Sequence, residues 1–246
     1  MLFVLVILAV FIGALAQRAT GLGFAMISAP VLVLLLGAFD GVLLVNLCGA
    51  VAALLIITRV WHLIDWRQFW LLTIPGLLAV VPGTVVSVLF AGPVLQILVG
   101  ATLVVALTVS LIVRRSFRPL AAAPSAVVAG AISGFTNTTA GVGGPALSVH
   151  AVLTRWDQRV FAATIQPYFV VSGVLAFAAK IAGAPQELST YAWWLWTAIV
   201  VTILLGLAAG EWVSKRISAR SARLAVLALA YGGGALAIVD GARMLG

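Results

Sequence analysis

Arg18 makes the clearest chemical demand in this sequence. It stands inside residues 2–36, a stretch made otherwise almost entirely of hydrocarbon side chains. A guanidinium in the middle of a membrane span costs on the order of 2.5–3.5 kcal/mol on insertion scales, so it either meets an anion or snorkels to the interface. No acidic residue in the adjacent sequence neutralises it. Gln17, Thr20, Gly21 and Gly23 surround it, and a second polar break lies within residues 121–153: Thr136, Asn137, Thr138, Thr139, Gly141, Gly143 and Gly144, with Ser133 just ahead. Neutral hydroxyls and amides exchange well for the hydration of an oxyanion, and glycine lets a ligand approach the backbone closely. A helix starting after each break turns free N–H groups and a positive dipole end toward the same place. The chemistry these residues suit is anion binding. Each polar residue alone serves equally to satisfy broken backbone, and each Gly-x-Gly serves small-residue helix packing. The occurrence of the break twice is what favours a site.

Other candidates lie nearby. Ser28 and Ser148 follow the glycines at matching places, and Asn46 and Gln166 fall in the spans after each break, where they either face the same cavity or join helices. His150 titrates near neutral pH, which suits a coupling proton as well as a structural role. Asp40 and Asp157 sit beside an aromatic residue at repeated positions and read as helix caps. Asp65, Glu187, Glu211 and Asp240 also fall at or near span ends, leaving no buried carboxylate relay.

Such groups need a scaffold that holds them at membrane depth, and the composition provides one. The 246 residues are 64% hydrophobic and 8% charged, with a mean hydropathy of +1.24, too apolar for a water-soluble globule; the chain is a polytopic helical membrane protein. Trp61, Trp66, Trp70, Trp156, Trp193, Trp194 and Trp212 gather near the ends of apolar runs, as headgroup anchors do. The net charge of +8 would suit nucleic acid, but the basic residues occupy short loops between spans, the pattern that membrane insertion imposes. The partners expected are therefore lipid and a small anionic substrate, with a coupling proton or cation, and no nucleic acid. No oligomeric state follows from the sequence.

Cys48 is the only cysteine, so there is neither an internal disulfide nor a cysteine metal cluster, and we expect no metal and no cofactor. The glycine runs lack both the preceding strand of a dinucleotide site and the Gly-Lys-Ser/Thr of a P-loop. With His62, His150 and one cysteine, and no paired carboxylates, the chain does not read as an enzyme. Ala14-Leu15-Ala16 imitates a signal-peptidase site, but no basic segment precedes the apolar run, which is read as the first element of the mature protein.

Apolar runs of spanning length lie at 42–58, 69–90, 94–113, 160–179, 190–212 and 222–242. The interrupted stretches 2–36 and 121–153 read as helical hairpins, broken at 17–23 and 136–144, with arms of at most roughly 24 Å against about 30 Å of hydrocarbon. Length favours re-entrant hairpins over pairs of short full spans. Gly21 to Ser28 aligns with Gly141 to Ser148, Leu36 to Asp40 with Leu153 to Asp157, and Gly13-Ala14 with Gly130-Ala131, at offsets of 120, 117 and 117. The expected fold is all-α, with two inverted repeats in one integral membrane domain, residues 1–120 and 121–246, each a broken hairpin followed by three transmembrane helices. Basic residues support the hairpins. With them, one membrane face receives Arg59, Arg67, Arg114, Arg115, Arg118, Arg155, Arg159, Lys215, Arg216, Arg220 and Arg223, against Lys180 and Arg243 on the other; with two single spans instead, the division is seven against six. Both termini are then extracytoplasmic.

The motifs Gly21-Leu-Gly-Phe-Ala-Met-Ile-Ser-Ala-Pro30 and Gly141-Val-Gly-Gly-Pro-Ala-Leu-Ser148, in a duplicated apolar chain, resemble those of the TauE/SafE (TSUP) transporters. That resemblance implies a secondary transporter in the bacterial inner membrane, an exporter of small anions such as sulfite, sulfoacetate or other organosulfonates. Only the paired glycine motifs carry over from it; Arg18 and the Thr/Asn cluster rest on their own chemistry. The alternatives are an anion channel or an exchanger of small carboxylates.

Overall fold

The computed structural model describes residues 2–21, 23–90, 92–113, 121–184 and 193–246. Arg114, Arg115, Arg118 and Glu187 lie outside them, as do the side chains of Trp193, Trp194, Arg220 and Arg223. Every regular element among the described residues is helical: α1 (Leu2–Thr20), α2 (Gly23–Leu36), α3 (Ala38–Val60), α4 (Trp66–Leu89), α5 (Pro93–Ile112), α6 (Ala122–Ala140), α7 (Gly144–Leu153), α8 (Gln158–Gly183), α9 (Trp193–Ser214) and α10 (Ala219–Arg243), with one 3-10 turn at Trp61–Leu63. Helices α3, α4, α5, α8, α9 and α10 are long and apolar enough to cross a membrane, matching the six expected spans. The chain is an all-α multi-pass membrane protein.

Local chemistry sets the helix starts. Asp65 accepts from the Gln68 N–H at 3.1 Å to cap α4, Asp157 accepts from the N–H groups of Arg159 and Val160 to cap α8, and Ser218 caps α10. Asp40 does not share the capping role expected for it. It lies inside the first turn of α3, whose N-cap is Gly37.

Both interrupted stretches are helical hairpins, but the breaks are narrower than the polar composition suggests. Helix α1 continues through Thr20 and α6 through Ala140. The hydroxyls of Thr20, Thr136, Thr138 and Thr139 each donate to the carbonyl four residues back, so these side chains satisfy themselves on the helix instead of competing with it. The chain turns only where Gly21 and Gly141 take φ of +83° and +73°, each N–H donating to the carbonyl of Gln17 or Asn137 in a left-handed cap. The arms are consequently unequal. At 1.5 Å per residue, the 19-residue α1 and α6 are about 28 Å long, whereas α2 (14 residues) and α7 (10 residues) are about 21 and 15 Å.

Side-chain contacts fix which helix ends lie together. Arg59, at the end of α3, meets Glu211, at the end of α9; the Asp65 N–H, at the start of α4, donates to Thr164 near the start of α8. At the opposite end, Gln96 of α5 donates to Asp240 of α10 at 2.7 Å. Arg59, Arg67, Arg155, Arg159, Lys215 and Arg216 thus share one end of the bundle, and Lys180 and Arg243 belong to the other.

Small residues allow the close packing between helices. An added Cβ at Gly134 of α6 would sit 2.0 Å from the Gly76 carbonyl oxygen of α4, and one at Gly210 of α9 would sit 2.6 Å from the Leu15 carbonyl oxygen of α1. Helices α3 and α8 cross at Gly173, against the Asn46 backbone. In both, 56% of the apolar window is buried, against 28% for α9 and α10, so α3 and α8 form the centre of the bundle. The outer surface is a coat of exposed apolar residues such as Leu78, Leu89 and Val81, as a hydrocarbon solvent requires.

Candidate functional site

The ends of α1 and α6 reach the same place by the same construction. Gln17 and Asn137 each stand four residues before the turning glycine, 120 positions apart. Both are buried, and both line a cavity of about 30 Å³ between the tips, together with Gly21, Gly141, Gly144 and Asn46. That volume holds one or two waters. Apolar walls come from Phe24, Val45 and Phe169, and Gly49 and Gly173 keep the central helices from filling it.

Amide pairs cross the cavity from one half of the chain to the other. Asn137 Nδ2 donates to Asn46 Oδ1 at 2.8 Å, and Asn46 Nδ2 donates in return to the Asn137 backbone carbonyl at 3.2 Å. Gln17 Nε2 donates to Gln166 Oε1 over a longer 3.4 Å, while Gln166 Nε2 is held by the Ala162 carbonyl. Asn46 and Gln166 are again 120 positions apart. The Asn pair is closed and the Gln pair is loose, and Gln17 Oε1 is buried with no hydrogen-bond partner among the described residues. Asn46 therefore joins helices and lines the cavity at once, whereas Gln166 joins helices behind Gln17, outside the cavity lining.

The remaining candidates are placed elsewhere. Gly23 and Gly143 are close-approach positions, the first against the Ala16 backbone and the second against Ser133, which is the packing role open to any Gly-x-Gly. Thr138 packs near Gly83 of α4, Thr136 faces a separate apolar groove, and the Thr139 hydroxyl is spent on the Phe135 carbonyl. Ser28 donates to the Ala9 carbonyl at 3.1 Å and joins α2 to α1. Ser148 is half-buried on α7, outside the cavity lining.

His150 is buried at the base of the groove of about 920 Å³ between α5 and the α6/α7 hairpin; its Nδ1 lies 3.0 Å from Ser125 Oγ, and its ring packs on Trp156. Trp156 is thereby a half-buried packing residue, unlike the exposed Trp61, Trp66, Trp70 and Trp212.

Arg18 has the acidic partner that its neighbours in sequence do not offer. Its guanidinium lies 3.4 Å from Glu211 Oε2, the oxygen that Arg59 contacts at 2.5 Å. The three side chains border a third cavity, of about 240 Å³, between α1, α3 and α9. Arg18 thus faces away from the tip cavity that Gln17 lines, one turn position round the same helix.

Two groups of residues escaped the sequence reading. The cavity walls Val45, Gly49, Phe169 and Gly173 sit on long apolar spans, and their only signal was proximity to Asn46 and Gln166. Arg59 and Glu211 read as ordinary span-end charges.

Among the described residues no group of His, Cys, Asp and Glu is arranged to hold a metal ion. No curated protein and no solved structure matches the chain. The sulfite exporter TauE/SafE family matches residues 5–236, which takes in both hairpins and the central helices; the chain belongs to that transporter family.

Proposed function

We propose that this protein is a secondary transporter that exports small anions, sulfite, sulfoacetate and other organosulfonates among them, by alternating access between two inverted repeats, residues 1–120 and 121–246. The observation that carries the reading is the crossed arrangement of amides. Each hairpin tip bonds the central helix of the other half, and the participating positions are related by one offset of 120. The basic end of the bundle is the cytoplasmic one by the positive-inside rule. In a bacterial inner membrane this places both termini outside.

In this mechanism the amide donors of Gln17, Asn46 and Asn137 leave their present acceptors, Gln166 Oε1, the Asn137 carbonyl and Asn46 Oδ1, for the oxygens of the anion, replacing its hydration. The starts of α2 and α7 provide positive potential at the tips, and the guanidinium of Arg18, on the other side of α1 beside Glu211, acts on the anion at the separate cavity it borders. Because the cavity holds one or two waters, a bound anion requires the tips to part. Occupancy and movement are thus coupled.

The test is flux of labelled sulfite and sulfoacetate in proteoliposomes. Saturable counterflow in the wild type, with at least a tenfold loss in Asn137→Ala and Arg18→Ala, is expected. Wild-type rates in both variants remove these residues from the mechanism, and unsaturable downhill flux replaces the carrier with a channel.

A further inference from the structure

Glu211 is held in a way that a structural ion pair does not require. Two arginines from different helices, Arg18 of α1 and Arg59 of α3, converge on one of its oxygens. One carboxylate between two guanidiniums leaves the cluster with a net positive charge. It is also open: the side chains of Arg18, Arg59 and Glu211 are 32%, 65% and 35% exposed and border a cavity of about 240 Å³. Glu211 reaches this point because Gly210, the residue before it, lets α9 lie flush on α1 at the Leu15 backbone and the Arg18 Cβ. An oxyanion held between two guanidinium groups is also how these side chains recognise a free carboxylate, through its planar pair of oxygens, or a sulfonate, through two of its three.

We infer that Arg18 and Arg59 form an oxyanion-binding site at the cytoplasmic mouth, and that Glu211 occupies it as an internal substitute which the transported anion displaces. The inference rests on the transport reading and adds a second station to it. Arg18 follows Gln17 directly, so the last turn of α1 presents a cation to the mouth and an amide to the tip cavity. Glu211 keeps the two arginines from repelling one another, and keeps α1, α3 and α9 joined, when no anion is present.

A competing internal carboxylate lowers apparent affinity by the fraction of time the site is free of it. Its removal is expected to tighten oxyanion binding by about three- to tenfold, given the modest strength of half-exposed ion pairs. The experiment measures binding of sulfite, sulfoacetate and chloride to the purified full chain in nanodiscs at fixed ionic strength, by ligand-dependent thermal shift. Glu211→Gln should bind both oxyanions more tightly. Arg59→Gln, which leaves the Arg18–Glu211 pair in place and so keeps α1 joined to α9, should bind them at least threefold more weakly.

Unchanged oxyanion affinity in either variant overturns the mouth site while leaving transport intact. An equal gain for chloride in Glu211→Gln reduces the effect to general charge and also overturns it. If the wild type shows no stabilisation by either oxyanion, the transport reading falls together with the inference.

Discussion

The Asn46–Asn137 pair gives a prediction whose size depends on the direction of each hydrogen bond. Asn46→Ala removes two bonds, the one its Oδ1 accepts from Asn137 Nδ2 and the one its Nδ2 donates to the Asn137 carbonyl. Asn137→Ala removes only the first, because the second ends on backbone. The Asn137 carbonyl stays satisfied in both variants, since it also accepts from the Gly141 N–H at 2.9 Å. Interhelical side-chain bonds in membranes average about 0.6 kcal/mol and reach about 1.7. Asn46→Ala should therefore cost about 1.2 kcal/mol and Asn137→Ala about 0.6, with a coupling energy of roughly 0.6 in the double-mutant cycle. A parallel cycle on Gln17 and Gln166 should show coupling near zero, because that contact is stretched to 3.4 Å. Denaturant unfolding in mixed micelles measures all seven proteins, the wild type being common to both cycles. Additivity within about 0.3 kcal/mol for the Asn pair, or an Asn137→Ala cost equal to that of Asn46→Ala, would refute the assignment of these bonds.

Three further outcomes are expected. Gly134→Ala places a methyl 2.0 Å from the Gly76 carbonyl oxygen and should cost at least about 3 kcal/mol by forcing α4 and α6 apart; a monodisperse protein with wild-type melting contradicts this. Asp157→Ala removes the acceptor for two N–H groups at the start of α8 and should lower stability by about 1 kcal/mol, with Asp157→Asn restoring most of it in the same unfolding assay. Lys180 is fully buried, its Nζ 4.9 Å from the Phe39 ring centroid in the field of Asp40 and without a hydrogen-bond partner among the described residues. Desolvating an ammonium costs several kcal/mol and a cation–π contact returns about 2, so Lys180→Met should raise the melting temperature; a fall would make Asp40 its obligate counterion.

The six spans were legible because length and hydropathy decide whether a segment can cross hydrocarbon. The extent of the breaks was not. Threonine and asparagine are weak helix formers in water, so 136–144 reads as a gap. At membrane depth, however, an unpaired backbone group costs more than a weak propensity does, and the helix persists until a glycine caps it. Gly21 and Gly141 were thus visible as turning points, whereas Gly23 and Gly143 look identical in sequence and serve packing instead. Arg18 was visible as a demand for an anion. Glu211 was not visible as its supply, because nothing local in the chain relates the end of α1 to the end of α9.

The asymmetry between the two amide pairs follows from the proposed repeats. An inverted-repeat carrier has no symmetric resting state: at any moment one repeat adopts the conformation that the other adopts after the exchange. Positions related by the offset of 120 should then differ in contact, with one pair closed and the other loose, as the Asn pair at 2.8 Å and the Gln pair at 3.4 Å do. The opposite-facing state should reverse them, closing Gln17 on Gln166 and releasing Asn137 from Asn46. Weakening only the closed pair therefore biases the equilibrium toward the other state, because a change in relative free energy of the two states shifts their populations even when both remain folded. In that mechanism Asn46→Ala acts first on which side of the membrane the tip cavity faces, and on anion affinity only through it.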